Sequence, residues 1–441
     1  MLCSVVFGEI EEIGVGTRTW IRWAVLHGAP RPFLSLQARR GQPFARLLVG
    51  PQRGGDPYPL IEQIRAGGRV TRTPFVSMTA DHELCRTILR DNRFGVNTPT
   101  NPGLRAAISW LVRQTGLQLP NPLEPPSMLS VDPPDHTRYR QPVAQAFTPR
   151  AVEKMRGRVT EVTNELLDRL ESKKYADLIS DFAAPLPVAI IAEVLGVPEE
   201  LRPRLLGLGD RGAPLFDFGL SWKTFRNAMA ALREADQYFG DHVDRLRAEP
   251  GDDIFSQVIL GGDTFTRREL AATGLLVVAA GFETIVNLIG NAIVLLLQNP
   301  SQLTRLREEP QLWPNAVEEA LRLDPPAHMT ARTATCDVQL VGHPIAAGEM
   351  IALLLAGANR DPTVFTNPDQ FDITRPNAKD HLSFSSGIHA CLGASLARME
   401  ATIALRALFE RFPGLRLDGT PTPRELATLH GFRCVPVKLA T

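Results

Sequence analysis

The segment Leu275 to Gln298 (LLVVAAGFETIVNLIGNAIVLLLQ) is long and apolar enough to cross a bilayer, and its flanks decide what it does instead. Thr266 and Glu269 form a capping box ahead of it, and Asn299-Pro300 ends it. The helix so bounded would run about 48 Å, longer than a bilayer core. Glu283, Asn287 and Asn291 recur every four residues and so share one stripe. A lone spanning helix would expose that stripe to lipid at a cost of several kcal/mol. The segment therefore reads as a helix buried through the centre of a large domain, not as a membrane span.

The rest of the chain must pack around such a helix. Helical periodicity continues through most of Asp132 to Gln298, as in Ala151 to Leu170 and Phe225 to Leu246, and returns in Pro314 to Leu323. A further helix is expected to begin near Asp81. Strand-like pieces occur at Arg69 to Thr73, Phe75 to Met78, Asp337 to Val341 and Met350 to Leu355, with Gly342 and Gly348 as turn signals. The expectation is a mainly α fold with small peripheral β-sheets, residues 56–441 forming one domain. Residues 1–55, including Trp20, Trp23 and Arg39-Arg40, carry no catalytic pattern and read as an N-terminal extension, either flexible or packed against the body.

Charge narrows the function classes. Lys plus Arg and Asp plus Glu each number 48, so the formal net charge is zero. Nucleic acid and anionic membrane surfaces attract a surplus of cations, which this balance lacks. The five cysteines (Cys3, Cys85, Cys336, Cys391, Cys434) have neither a disulfide framework nor zinc-finger spacing, and Glu9, Glu11 and Glu12 interrupt what would be the apolar core of an export signal. A cytoplasmic location is expected.

The strongest chemical pattern is Phe384-Ser-Ser-Gly387-Ile-His389-Ala-Cys391-Leu-Gly393, where a glycine-containing loop enters a helix with apolar positions at Leu392, Leu396, Met399, Ile403 and Ala407. Cys391 is then placed at a helix N-terminus, where free N–H groups and the dipole favour its thiolate. Gly387 and Gly393 would let backbone approach a flat ligand. This FxxGxHxCLG loop resembles the haem-binding loop of cytochromes P450. The resemblance implies the P450 fold, haem b held by Cys391 as axial iron ligand, and Phe384, Gly387 and Gly393 shaping the cofactor site.

Other segments carry the resemblance from about Asp56 to the end. Glu319 and Arg322 lie three apart on one helix face, and Phe371-Asp-Ile-Thr-Arg375-Pro resembles the loop that supplies a third charge. The resemblance implies a structural triad of Glu319, Arg322 and Arg375. Ala280-Gly281-Phe282-Glu283-Thr284 is similar to the oxygen-activation motif, with Gly281 expected to distort the helix and make room for dioxygen. Thr284 would hold water and Glu283 would relay protons from solvent. Asp132-Pro-Pro-Asp-His136-Thr-Arg138-Tyr-Arg140 resembles the helix crossing the haem edge. It implies His136 and Arg140, with Arg332 and His389, as counter-charges for the propionates. Ser385 and His389 stand where many family members have Gly and Arg. The other histidines show no metal-ligand spacing.

The resemblance further implies a monooxygenase, an oxidoreductase that places one atom of dioxygen into an apolar substrate of lipid, terpenoid or polyketide type by hydroxylation or epoxidation. No flavin or nicotinamide fingerprint appears in the chain. Electrons are therefore expected from a separate ferredoxin and its NAD(P)H-dependent reductase, docking near Arg138, Arg398 and Arg406 on an otherwise monomeric protein. A peroxide-driven peroxygenase and a non-catalytic haem-thiolate sensor or carrier use the same cofactor and remain alternatives. Segments 97–130 and 206–225 correspond to the parts that close over substrate, the second with Phe216, Phe218, Trp222 and Phe225 as a candidate clamp.

Overall fold

The computed structural model describes residues 15–50, 56–73, 76–96, 114–115, 119, 121–251, 253–260 and 265–439. The principal helices are α1 (Val15–Trp23), α2 (Pro30–Arg39), α3 (Pro43–Val49), α4 (Tyr58–Ala66), α5 (His82–Arg90), α6 (Asp135–Ala144), α7 (Pro149–Glu171), α8 (Pro185–Val194), α9 (Arg202–Gly212), α10 (Trp222–Ala248), α11 (Arg267–Gln298), α12 (Trp313–Leu323) and α13 (Ala394–Arg411).

Helix α11 is the expected central element. The Thr266 hydroxyl accepts from the Glu269 backbone N–H, and the Glu269 carboxylate accepts from that of Thr266, closing the capping box. Helices α8, α9, α10, α12 and α13 pack around α11, and Phe282, Val286, Ile289 and Ile293 are buried within it. Two glycines allow the closest approaches. A Cβ at Gly209 of α9 would lie 2.3 Å from the Phe282 ring, and one at Gly274 would lie 2.6 Å from that of Phe255. The polar stripe is answered inside the protein. Asn287 donates to Glu283 Oε1 at 3.4 Å, and Asn291 donates to the Asp324 carbonyl at 2.9 Å.

Glu269 also ties α11 to α6, accepting from Arg138 Nη2 at 2.6 Å and from the Tyr139 hydroxyl at 2.7 Å. Burial pushes its carboxyl up, but these bonds and those from Thr266 outweigh burial and bring it to about 2. A carboxyl depressed on folding adds stability above its unfolded value, about 4.3, which is lost as pH falls toward 2. The unfolding temperature should therefore drop over that window, and Glu269→Gln should flatten the drop. An equally steep decline in the variant would show that other carboxylates carry it.

The sheets are small, as expected. The largest runs β1 (Thr71–Arg72), β2 (Ser77–Thr79), β8 (Met350–Leu353), β5 (Thr330–Ala334), β3 (Phe94–Gly95), with β2 parallel to β8 and β5 antiparallel to it, pairing Arg332 with Ile351. Strands β4 (Tyr175–Asp177), β12 (Pro436–Lys438) and β9 (Arg416–Leu417) form a second, β6 (Val338–Leu340) and β7 (His343–Ile345) a hairpin, and β10 (Thr422–Pro423) and β11 (Phe432–Cys434) another. The strand expected to reach Leu355 stops at Leu353. There the chain turns into a short helix, drawn so close to α4 that a Cβ at Gly357 would sit 2.5 Å from Ile61.

Residues 15–50 pack against the body. Leu34, Ala38, Phe44, Leu47 and Leu48 join Ile61, Ile64, Met78 and Leu354 in a second apolar cluster. Trp23 donates its indole N–H to the Leu220 carbonyl at 2.8 Å, and its ring lies 5.6 Å from that of Trp222. Residues 1–14 and 51–55 lie outside the described residues.

Candidate active site

The cysteine loop is set by its backbone. The Cys391 N–H donates to the Phe384 carbonyl at 2.8 Å, and Ser385 and Gly387 have positive φ of 61° and 72°. A Cβ at Gly387 would lie 2.2 Å from the Leu89 carbonyl oxygen, so contact with α5 already requires a glycine here. Gly393 differs, because a Cβ there would meet nothing within 4 Å. Desolvation raises the Cys391 thiol, against the Gly393 N–H, Arg140 and Arg398, which all lower it, while the residue itself stays open on one side.

Four donors from three elements meet beside this loop: His136 and Arg140 on α6, Arg332 on β5 and His389 on the loop. The rings of His136 and His389 stand 4.2 Å apart, and neither Nε2 has a hydrogen-bond partner. Arg332 is buried, donating to the Ala331 carbonyl at 2.8 Å. Arg140 donates to the Ala390 carbonyl at 2.6 Å. Asp132 faces the group, 3.9 Å from His389 Nε2. Burial lowers all four, His389 to about 4. A cluster rich in unspent donors matches a dianion.

On α11 the motif residues differ from expectation in three ways. The helix continues unbroken through Ala280 to Thr284, so Gly281 introduces no distortion; it makes room for Ile191, whose Cδ1 would lie 3.0 Å from a Cβ there. Thr284 donates its hydroxyl to the Ala280 carbonyl at 2.6 Å. Glu283 is buried and does not reach toward solvent. Its Oε1 lies 3.0 Å from Arg424 Nε, and Arg424 Nη2 lies 3.5 Å from Asp210 on α9. Burial raises the Glu283 carboxyl, partly opposed by Arg424. Ala280, by contrast, is exposed in the middle of a buried helix, which marks a cavity on that side.

The triad assembles as expected. Arg322 grips Glu319 in bidentate fashion at 2.7 and 2.8 Å, and Arg375 Nε reaches both oxygens at 3.1 Å, all three buried. The remaining guanidinium donors go to the carbonyls of Asn359, Pro368, Gln370, Thr366 and Asn367.

Against Ala279 lies an apolar cleft between α9, α10 and α11, lined by Leu205, Leu208, Phe216, Leu232 and Phe239 among others. Of the candidate aromatic clamp only Phe216 lines it. Trp222 and Phe225 pack on Trp23 and His27, and Phe218 faces solvent. Residues 97–113, from the other closing segment, lie outside the described residues. Sequence reading missed Arg424 and also Asp217, whose carboxylate accepts from the N–H groups of Ala427 at 2.9 Å and Thr428 at 3.0 Å. Neither sits in a periodic pattern, so no local signal marked them. The fold also gathers Asp324, His328 and His430, with ligand atoms within 4.8 Å, despite their unpromising spacing. The two imidazoles stack at 4.3 Å and 21°, with their Nε2 atoms 3.9 and 3.3 Å from Asp324 Oδ1.

A cytochrome P450 family model matches residues 213–438. "Putative cytochrome P450 140" of Mycobacterium tuberculosis is 43% identical over 431 residues, covering 95% of this chain and 97% of that protein. The chain belongs to the cytochrome P450 family. Among solved structures, P450BioI in complex with hexadec-9Z-enoic acid-ligated acyl carrier protein shares 38% identity at a TM-score of 0.79, covering 87% of this chain and 99% of that one. Myxobacterial cytochrome P450 CYP267B1 in complex with myristic acid shares 34% at a TM-score of 0.80, covering 90% and 99%. The fold is that of cytochromes P450, the activity class is monooxygenase, and the cofactor is haem b. The chain's own features fit that group: an accessible Cys391, accessible Ala280, and orphaned donors at His136 and His389.

Proposed function

We propose that this P450 hydroxylates or epoxidises a long apolar substrate, a lipid or polyketide-type acyl chain, as a monomer in the cytoplasm. Electrons come one at a time from a ferredoxin served by an NAD(P)H-dependent ferredoxin reductase. The observation that carries the substrate class is the cleft against Ala279, whose described lining is apolar apart from Asn121. The fatty-acyl ligands of P450BioI and CYP267B1 support it. Residues 56–441 act as one catalytic unit on which the N-terminal helices rest.

Haem b, held through Cys391, supplies the reductive activation of dioxygen. His136, Arg140, Arg332 and His389 would pair with its propionates, and Phe384, Gly387 and Gly393 would shape its near side. Ala280 and Gly281 leave the far side open. Thr284 exchanges its bond to the Ala280 carbonyl for one to a water, and Glu283 passes protons to that water once released from Arg424. Docking of the ferredoxin near Arg138 and Arg398 must compete with existing pairs, Arg138 with Glu269 and Arg398 with Glu318, each at 2.6 Å.

Two measurements test this. Titration with myristic and palmitoleic acids should shift the haem iron to high spin, and the absence of a shift with either, or with a polyketide thioester, sinks the substrate class. Thr284→Ala should lower product formation about a hundredfold while NAD(P)H consumption continues as peroxide. Unchanged product yield in that variant would favour a peroxide-driven reaction.

A further inference from the structure

The overall neutrality of the chain averages over a segment that is not neutral at all. Residues 13–55 contain seven arginines (Arg18, Arg22, Arg31, Arg39, Arg40, Arg46 and Arg53) and not one Asp, Glu or Lys. Among the described residues of that segment, Arg31, Arg39, Arg40 and Arg46 are exposed. Helix α2 is apolar on two sides. Leu34 and Ala38, one turn apart, face the body, while Phe33 and Leu36 on the other side are 43% and 45% exposed. Trp20 on α1 adds a third large side chain at 51%.

The patch runs on to the segment that closes the cleft. A Cβ at Gly219 would lie in ordinary contact with Arg31 of α2, at 3.8 Å, and its neighbour Phe218 is 48% exposed. Leu215 and Phe216, just before it, line the cleft. Tryptophan, phenylalanine and leucine standing outward among arginines are the composition of a helix lying in a lipid headgroup layer. A purely electrostatic partner would give the arginines a role but would not account for the exposed faces of Trp20, Leu36 and Phe218.

We propose that α1, α2 and the 218–219 turn form a docking surface for an anionic phospholipid bilayer, which sets the mouth of the apolar cleft against the membrane surface. Arginines meet the headgroup phosphates, and Trp20, Phe33, Leu36 and Phe218 enter the headgroup and acyl boundary. None of the described helices spans the bilayer in this arrangement, and it holds whichever apolar substrate the cleft takes.

Vesicle flotation with the full-length haem-loaded protein tests it. The protein should float with phosphatidylcholine vesicles containing phosphatidylglycerol, far less with phosphatidylcholine alone, and binding should fall as salt rises. One arginine near such a surface is worth roughly fivefold in partitioning, so Arg39→Gln with Arg40→Gln should weaken it about thirtyfold. Phe33→Glu with Leu36→Glu should also abolish flotation. In each variant the Soret spectrum and unfolding temperature should match the wild type, and should the second pair fail to fold, the arginine pair decides. Flotation that survives the arginine pair overturns the proposal. So does failure to float with anionic vesicles, and binding of a small acidic protein in that case would assign the surface to a protein partner.

Discussion

Cys391→Ser should remove the strongly red-shifted Soret band of the dithionite-reduced, carbon monoxide-treated protein and with it all monooxygenase turnover. The substitution changes one atom and leaves the loop intact, since the Cys391 N–H bond to Phe384 and the contact of Gly387 with Leu89 do not involve the sulfur. A serine hydroxyl at this position stays protonated, so the electron donation that a thiolate gives to iron disappears. The loss should therefore be qualitative rather than graded, with near-wild-type helical content by circular dichroism. A wild-type protein whose reduced carbon monoxide band sits at the position of histidine-ligated haem would remove Cys391 from the site.

Glu319→Ala should destabilise the fold by about 3–5 kcal/mol, the usual cost of removing one partner of a buried ion pair. The residue is the shared anion of two buried guanidinium groups, and its Oε1 also accepts from the Asp372 N–H at 3.0 Å. Without it, Arg322 and Arg375 keep their carbonyl partners but hold two positive charges in the interior. The loop from Asn359 to Arg375, which leads into the cysteine segment, is fastened by those same guanidinium groups. Urea unfolding should show the loss, and haem should dissociate at lower denaturant than global unfolding. If Glu319→Ala unfolds at wild-type urea concentrations, the triad is not what holds this region.

Much of this architecture was legible because the signals were local. The capping box and stop of α11 lie within its own sequence, Glu319 and Arg322 share a helix turn, and the cysteine loop is contiguous. The polar stripe on α11 correctly excluded a lipid-facing helix, yet its partners, Asp324 and the residues near His430, were out of reach of any periodicity. What stayed hidden had the same origin. The Arg424 that holds Glu283 lies far along the chain, and so do Trp23 and His27, which pack on the faces of Trp222 and Phe225. Gly281 was read as a helix defect, although a neighbouring isoleucine is reason enough for it. Net charge is a coarse signal for a related reason, since a sum over the chain hides where the charges sit.

The hairpin between β10 and β11 carries a practical consequence for altering substrate range. Arg424, before its turn, is shared by Glu283 and Asp210, and Ala427 and Thr428, within it, are held by Asp217. The cleft-closing segment and the end of the chain are thus joined through the buried carboxylate of Asp217 and the exposed one of Asp210. A chimaera that grafts residues 202–221 from a relative inherits aspartates or their replacements without the matching hairpin, and would strand a buried charge at Asp217. Libraries that exchange both segments together should yield folded, haem-loaded proteins far more often than libraries that exchange either one.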